Sequence, residues 1–405
     1  MIMKAPYYLA IFLMATLAAP AAPTAKGGVS NGPMTPAQIK QHERDMKKAA
    51  SERKKLLLKS AQKAKSIATK MAKVVPIPRP DVEVREEELE GLQQKAEGGD
   101  AAAMIRLGHY YLMHVEPGFA NEAKGEEWFR KAAETGDADG IAWLALYEQL
   151  SKPKANKGMI QQRFLEAAEK GSVLGEYFMG LTTENYEDKL PWYEKAAERG
   201  FVPAMRELAD AICEHNYRNV PCLRGGYQLT PEALAWAKLA AGYGDYRAYT
   251  ILSSEGAYFS GSESERPRVD VKKMEAYTQK AIELAKQLKY FWYGTSFDCR
   301  LMPGRYDWGG SRAYSMLGAY SDAYGFLMGR KKNAASFFRK FHADMTKMAD
   351  EGDRDAMLVI VKAAKNWKFF FPMNDIPCPF KPAPYEQKLR EMAKDDPLLP
   401  RLLAN

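Results

Sequence analysis

The sequence is poor in the residues and motifs on which most enzymes depend. Histidine occurs only five times and cysteine four times in 405 residues. The chain has no phosphate-binding Walker loop, no dinucleotide-binding glycine fingerprint and no nucleophile elbow. His109 and His114 lie five positions apart and so on different faces of a helix, which predicts surface histidines rather than a zinc site.

Carboxylates are plentiful, but nothing in the sequence sets one pair apart as a general acid and base. We therefore assign no catalytic, metal-binding or cofactor-binding residue, and we expect a protein that is not an enzyme. A hydrolase with an unrecognised carboxylate site is the least favoured alternative.

Long apolar runs are also missing beyond the first residues. Lys4 precedes an apolar run from Tyr7 to Leu17, and Ala19-Pro20-Ala21 has the small residues of a cleavage site. The run is too short for a bilayer core of about 30 Å. Residues 1–21 are therefore predicted to be a signal peptide, and the protein is predicted to be periplasmic or secreted.

The cysteines form no C-x-x-C pair. An even number in an exported chain favours two disulfides over a zinc site and leaves three connectivities open. A Cys213–Cys222 bond would close a short loop, and a Cys299–Cys378 bond would join two aromatic-rich stretches.

Basic residues are concentrated near the N-terminus. Residues 1–80 carry 15 Lys and Arg against 3 Asp and Glu, whereas residues 81–405 carry 44 against 48. Residues 22–34 are predicted to be a flexible linker, and Thr35 is predicted to cap a helix that ends near Met71. This basic helical arm, residues 35–75, is followed by a stiff proline-rich linker at 76–83.

Three interpretations of the arm are open: a solvated spacer helix, adsorption to an anionic membrane surface or envelope polymer, and a coiled coil that like charges oppose. Nucleic acid is not expected outside the cytoplasm. The apolar positions of the arm recur mostly every seven residues, at Ile39, Met46, Ala50, Leu57, Ala64 and Met71.

A short alanine-glycine motif recurs along the rest of the chain at intervals of roughly 36 residues, which indicates a helical solenoid. Each glycine follows an alanine-rich helical turn, as a left-handed helix-ending residue does. A small residue four positions later and an aliphatic one eight positions later predict that a second helix starts there. The glycines are Gly99, Gly136, Gly171, Gly200, Gly244 and Gly352.

Gly309 has the same offsets, at Ala313 and Leu317, but lacks a preceding helix. We therefore predict about seven helix pairs over residues 84–395, with an insertion at 289–308 and a tail at 396–405.

Three segments resemble the repeat motifs of a known family. They are Ala-Ala-x-x-Gly-Asp, Leu-Gly-His-Tyr-Tyr at Leu107–Tyr111, and Trp-Phe-Arg-Lys-Ala-Ala at Trp128–Ala133. Together they closely resemble the Sel-one-like repeat, a relative of the tetratricopeptide repeat. The resemblance covers residues 84–258 well and 309–395 less well. It implies an all-α, right-handed superhelical solenoid of antiparallel helix pairs that acts as an adaptor and has no chemistry of its own. Exported members of the family stabilise their repeats with disulfides, and the resemblance implies the same role for a Cys213–Cys222 bond.

Two surfaces are candidates for binding. If the helix after each glycine lines the concave face, positions seven and eleven past the glycine flank its buried stripe. We predict that unidentified protein partners bind there, at Arg106, Tyr110, Trp143, Tyr147 and Phe178, although packing is the alternative role.

The second surface comprises the aromatic stretches 290–308 and 367–385, with Tyr290, Trp292 and Trp308 as a platform for a glycan or peptide. Its alternative is an irregular core that closes the C-terminal end. We therefore expect an exported protein–protein interaction scaffold, with a cell-envelope glycan- or peptide-binding module as the alternative.

Overall fold

The computed structural model describes residues 35–77, 84, 86–113, 122–151, 157–219, 229–253, 271–287, 331–365, 367 and 377–392. The predicted signal peptide, flexible linker, insertion at 289–308, Gly309 and C-terminal tail lie outside these residues. The described parts are α-helical apart from one isolated β-bridge. The helices are α1 (Pro36–Met71), α2 (Glu86–Glu97), α3 (Ala101–Met113), α4 (Glu122–Glu134), α5 (Ala138–Ser151), α6 (Lys157–Glu169), α7 (Val173–Thr182), α8 (Tyr186–Glu198), α9 (Val202–Asn219), α10 (Pro231–Gly242), α11 (Tyr246–Ser253), α12 (Val271–Gln287), α13 (Lys331–Asp350), α14 (Arg354–Lys365) and α15 (Ala383–Met392).

Six helix pairs follow one another among these elements, from α2/α3 to α10/α11 and then α13/α14. Each pair turns at one of the six predicted glycines, all of which have a positive φ between 82° and 101°. In the first pair, the N–H of Gly99 donates to the carbonyl of Ala96 and the N–H of Asp100 donates to the carbonyl of Lys95. These two hydrogen bonds define a Schellman turn. The prediction of an all-α solenoid of helix pairs is confirmed.

The packing rule predicted from the glycine offsets also holds. At four positions past the glycine, Ala103, Ala204, Ala248 and Ala356 are buried. Gly140 and Gly175 occupy the same position in the pairs where the preceding helix lies closest. A Cβ on Gly140 would lie 2.7 Å from the carbonyl carbon of Ala132. Eight positions past the glycine the aliphatic side chains are buried, except that Met179 is only partly so. The small residues therefore let the two helices of a pair approach closely.

The second helices of neighbouring pairs also contact one another, as α3 does α5 and α5 does α7. Helix α5 is consequently buried at every position from 140 to 147. One apolar core continues from Phe129 to Leu252, and it includes Met71 from the end of α1. The N-terminal helix is thus part of the folded body.

Candidate interaction surface

The turn of the fourth pair differs from the other five, because its second helix lacks a capping side chain. In the other five pairs the residue after the glycine accepts a hydrogen bond from a backbone N–H in the first turn, as Asp137 does from Gly140 at 2.7 Å. The other such residues are Asp100, Ser172, Asp245 and Asp353. In the fourth pair this position is Phe201, which has no acceptor atom in its side chain.

The chain segment after α1 supplies the missing acceptor. The carbonyl oxygen of Ile77 accepts a hydrogen bond from the N–H of Val202 at 3.1 Å, and the N–H of Ile77 donates to the carbonyl of Gly200 at 2.8 Å. These bonds form the isolated parallel bridge between Ile77 and Phe201. The segment lies so close that a Cβ on Gly200 would be 2.4 Å from the carbonyl oxygen of Val75.

Helix α1 itself docks against α10, and it contributes a second cap. The hydroxyl of Ser60, which is buried, accepts a hydrogen bond from the N–H of Glu232 in the first turn of α10 at 2.9 Å. The ammonium of Lys63 pairs with the carboxylate of Glu232 at 2.9 Å. Helix α1 and the segment after it thus cap two helices of the solenoid and are an integral part of it.

Charge complementarity also holds α1 in the groove between α8 and α10. Lys70 of α1 pairs with Glu198 of α8. Burial raises the pKa of Glu194 nearby, and the negative charges of Glu232 and Glu198 add to the rise, while Lys63 and Lys70 oppose it. The groove between α8 and α10 thus presents three carboxylates, and the lysines of α1 partly neutralise them.

The docked face of α1 follows a helical spacing of three and four residues. Its members are at least partly buried, and they are Ala49, Arg53, Leu56, Leu57, Ser60, Ala61, Ala64, Ile67 and Met71. The predicted helix with its Thr35 cap and its end at Met71 is confirmed. The solvated spacer does not describe the C-terminal half, and the apolar side that a coiled coil would need there is covered by the solenoid. Ile39 is 46% exposed, so the docked face does not extend to the N-terminal end of the helix.

The opposite side of α1 is a basic face. Eight exposed cations form it, and they are Lys40, Arg44, Lys47, Lys48, Lys54, Lys55, Lys59 and Lys65. At about 100° per residue they fall within an arc of about 140°, centred opposite the docked face. Glu43, Asp45 and Glu52 fall outside this arc. Docking on one face therefore points the cations away from the solenoid.

The predicted partner-binding strip is not exposed at three of its five residues. Trp143, Tyr147 and Phe178 are all buried, and the rings of Trp143 and Phe178 lie 5.3 Å apart edge to face. They are buried because the second helices of neighbouring pairs contact one another and cover both flanks of the stripe. Arg106 and Tyr110 are half-buried, and Arg106 pairs with Glu88 of α2 at 3.1 Å. The three buried aromatics pack the core, whereas partner binding at Arg106 and Tyr110 stays a prediction.

The predicted aromatic platform lies partly outside the described residues, as Tyr290, Trp292 and Trp308 do. In the second stretch, Trp367 and Phe380 are buried, and the ring of Phe380 packs 5.4 Å from that of Phe341. The hydroxyl of Tyr385 donates to Asp350 at 2.9 Å. Here the alternative of a core near the C-terminal end describes the residues better than a binding platform.

The cysteines that the structure describes are Cys213, which is buried, and Cys378, which is half-buried. Burial raises the pKa of the Cys378 thiol. Cys222 and Cys299 lie outside the described residues, so the two disulfides stay predictions.

Two buried ion-pair clusters lie in the interior. Arg206 of α9 is buried between Glu207, at 2.5 Å, and Asp245, at 3.3 Å, and the two carboxylates hold its pKa well above the usual value. The buried carboxylate of Glu176 pairs with Arg199 at 3.0 Å.

His109 is buried, which corrects the prediction of a surface histidine. It lies edge to face with Trp143 at 4.3 Å, and burial lowers its pKa to about 3. The described residues include no group of three His, Cys, Asp or Glu side chains able to hold a metal ion. They also include no helix long and apolar enough to cross a bilayer.

The helix pairs and their glycine turns define the class of the fold as a helical-repeat solenoid. No protein-family model and no curated protein matches the chain. The chain is similar to several solved structures, of which three follow. A protective antigen of uropathogenic Escherichia coli with an SLR fold is 17% identical, with a TM-score of 0.38, over 76% of this chain and 56% of that one.

A Sel-one repeat protein from Oxalobacter formigenes is 19% identical, with a TM-score of 0.36, over 51% of this chain and 88% of that one. An immunity protein from Pseudomonas aeruginosa is 18% identical, with a TM-score of 0.35, over 56% and 82%. This chain therefore spans about half the length of the Escherichia coli antigen (56%). The fold assignment rests on the helix pairs themselves.

Proposed function

We propose that the protein is an exported, non-catalytic interaction scaffold that binds an anionic partner surface through the basic face of α1. Export is supported by the signal-peptide pattern of residues 1–21. The scaffold role is supported by a body whose buried charges are used in joining helices.

The observation that carries the proposal is the division of α1 into two faces. The docked face is fixed by backbone hydrogen bonds at Ile77, by Ser60 and by two lysine–glutamate pairs. The basic face forms no ion pair with the part of the chain that the structure describes. A helix held in this way keeps its cations on one side, which favours electrostatic steering of an anionic partner.

Protein partners belong to the same proposal. Arg106 and Tyr110, the half-buried members of the predicted strip, are where we expect a protein partner to bind.

Binding to immobilised dextran sulfate, a soluble polyanion, tests the basic face. The reversed-face variant combines Lys47→Glu, Lys48→Glu, Lys54→Glu and Lys55→Glu. Its matched control reverses four exposed lysines elsewhere, in Lys95→Glu, Lys272→Glu, Lys347→Glu and Lys381→Glu.

We expect the reversed-face variant to bind at least about tenfold more weakly than the control at low salt, since exposed charges act over a Debye length of about 10 Å at 0.1 M. Circular dichroism checks that both variants fold. Equal weakening in the two variants would refute the proposed role of the basic face.

A further inference from the structure

We infer that the partner of the basic face is an anionic lipid bilayer, on whose surface α1 lies lengthwise with Leu58 among the headgroups. This inference rests on the proposed function, and it names the partner of the same face. Three features favour a bilayer over a soluble polyanion: the shape of the face, the position of Leu58 and the distribution of charge in the chain.

The basic face is long and narrow, and it lies along one side of one continuous helix. Helix α1 runs for 36 residues without interruption. From Lys40 to Lys65 the cations extend over about 38 Å at about 1.5 Å per residue. A flat anionic surface can meet all eight of them together, because they share one side of one helix. Clusters of this size on a helix are typical of proteins that bind acidic headgroups.

Leu58 is the second feature. Its side chain is 58% exposed, and it lies in the middle of the basic face, one turn from Lys54 and Lys55 and next to Lys59. An exposed leucine adds nothing to the binding of a water-soluble polymer. At a bilayer surface it can enter the boundary between headgroups and acyl chains, while the long lysine side chains stay with the phosphates.

The apolar side of α1 limits how deeply the helix can enter. Ile67, Ala64 and Met71 face the solenoid and are at least partly buried. An interfacial helix normally places such a stripe in the membrane. Here the stripe is used in docking, so binding depends on charge plus one leucine. We expect peripheral attachment that salt reverses.

The rest of the chain favours one orientation. Residues 81–405 carry 44 Lys and Arg against 48 Asp and Glu, so the body is slightly acidic. An anionic bilayer therefore attracts the basic face and weakly repels the body. The molecule would attach with α1 toward the lipid and the solenoid toward the water.

Vesicle co-sedimentation of the full chain tests the inference. The probes are vesicles of phosphatidylcholine alone and vesicles with about one third phosphatidylglycerol, at low salt and at high salt. The variants are the reversed-face variant, Leu58→Ser, and Leu165→Ser as the matched control on an exposed leucine of α6.

We expect the wild type to bind the phosphatidylglycerol vesicles only, and high salt to release it. The reversed-face variant should bind at least about tenfold more weakly, since each lysine near an anionic surface adds to the attraction. Leu58→Ser should bind roughly fivefold more weakly, as expected for losing a partly buried leucine, while Leu165→Ser should match the wild type.

Three results would overturn the inference. Wild-type protein that binds dextran sulfate through the basic face but ignores phosphatidylglycerol vesicles would leave the proposed function in place and rule out the bilayer. Equal binding by Leu58→Ser and Leu165→Ser would remove the argument that distinguishes lipid from a soluble polymer. Failure to bind either probe would contradict both proposals.

Discussion

The turn at Gly136 and the turn at Gly200 have the same backbone but different surroundings. At Gly136 the following residue, Asp137, caps the next helix, and a Cβ on the glycine would meet nothing within 4 Å. At Gly200 the following residue is Phe201, the cap comes from Ile77, and Val75 lies against the glycine. A departure from the repeat pattern therefore marks the place where another part of the chain contributes.

This difference also explains why α1 behaves as part of the solenoid. Phe201 is buried in the core beside Tyr177, at 5.2 Å between rings, so the fourth turn gains apolar packing where the others have a polar cap. The hydrogen bond that it lacks is made with the segment after α1. Separating α1 from the solenoid would expose the N-terminus of α9 and the carboxylates of Glu194 and Glu232.

The largest expected effect sharpens the comparison among the self-capped turns. Asp245→Ala removes a cap and also leaves Arg206 buried with Glu207 alone. Losing one charged hydrogen-bond partner of the buried guanidinium costs about 1.5–3 kcal/mol in addition to the lost cap, so urea unfolding should reveal a large loss. Asp137→Ala is the control, because it removes only a cap worth about 1 kcal/mol. Equal losses would mean that the Arg206 pair contributes nothing.

The next prediction compares the two turns directly. Gly136→Ala should cost about 1 kcal/mol, since a Cβ at positive φ is strained but has room. Gly200→Ala has the same strain and would also place its Cβ 2.4 Å from the Val75 carbonyl. We expect a loss of about 2–3 kcal/mol and increased proteolysis after α1. Two variants of equal stability in urea would contradict the placement of Val75.

Acid should destabilise the self-capped part of the solenoid through His109. Its pKa in the folded protein is about 3, below the 6.5 of an unfolded histidine. A neutral buried histidine contributes stability above pH 6.5, and that contribution falls as the pH drops toward 3. Between pH 6.5 and 5 the free energy of unfolding should fall by about 2 kcal/mol from this group. His109→Leu should remove that part of the pH dependence, and an unchanged slope would contradict the buried neutral state.

Glu194 in the groove of α1 should respond in the opposite direction. Its folded pKa is raised, so the ionised form costs stability above that pKa, and protonation on acidification removes the cost. Mild acid should therefore leave α1 in place while it loosens the core around His109. Hydrogen exchange at pH 5 and pH 7 can compare the two regions.

The smallest effect concerns the ion pair of the docked face. Lys63 is half exposed, while Glu232 is mostly covered at 12%. Lys63→Ala should destabilise the protein by about 0.5 kcal/mol and increase exchange in α1. Lys157→Ala is the matched control, because its pair with Glu184 is at 3.4 Å and almost fully exposed. A control that lost as much as Lys63→Ala would show no special role for the groove.

The repeat turns could be predicted from the sequence because their signals are local. A glycine at positive φ, a small residue four positions later and an aliphatic residue eight positions later lie within one turn and one helix. The helix from Thr35 to Met71 was predictable for the same reason, since its cap and its ending are set by neighbouring residues.

The docking of α1 could not be predicted in this way. Ser60 and Glu232 are 172 positions apart, and neither belongs to a motif. The one available signal was Phe201 where the other turns have Asp or Ser. The buried strip around Trp143 failed for a related reason, because contacts between neighbouring pairs decide which flanks of a helix are covered. Helix spacing alone defines one buried stripe, but α5 is covered on several sides.

Hydrogen–deuterium exchange of the full chain tests the central claim most directly, namely that α1 is docked on the solenoid and presents its basic face outward. We expect the amides of residues 56–71, together with Ile77 and Val202, to be protected as strongly as those of α8 and α10. Residues 36–45, 47 and 48, which are all exposed, should exchange faster. Exchange of residues 56–77 as fast as that of an isolated helix, with Val202 unprotected, would contradict the account.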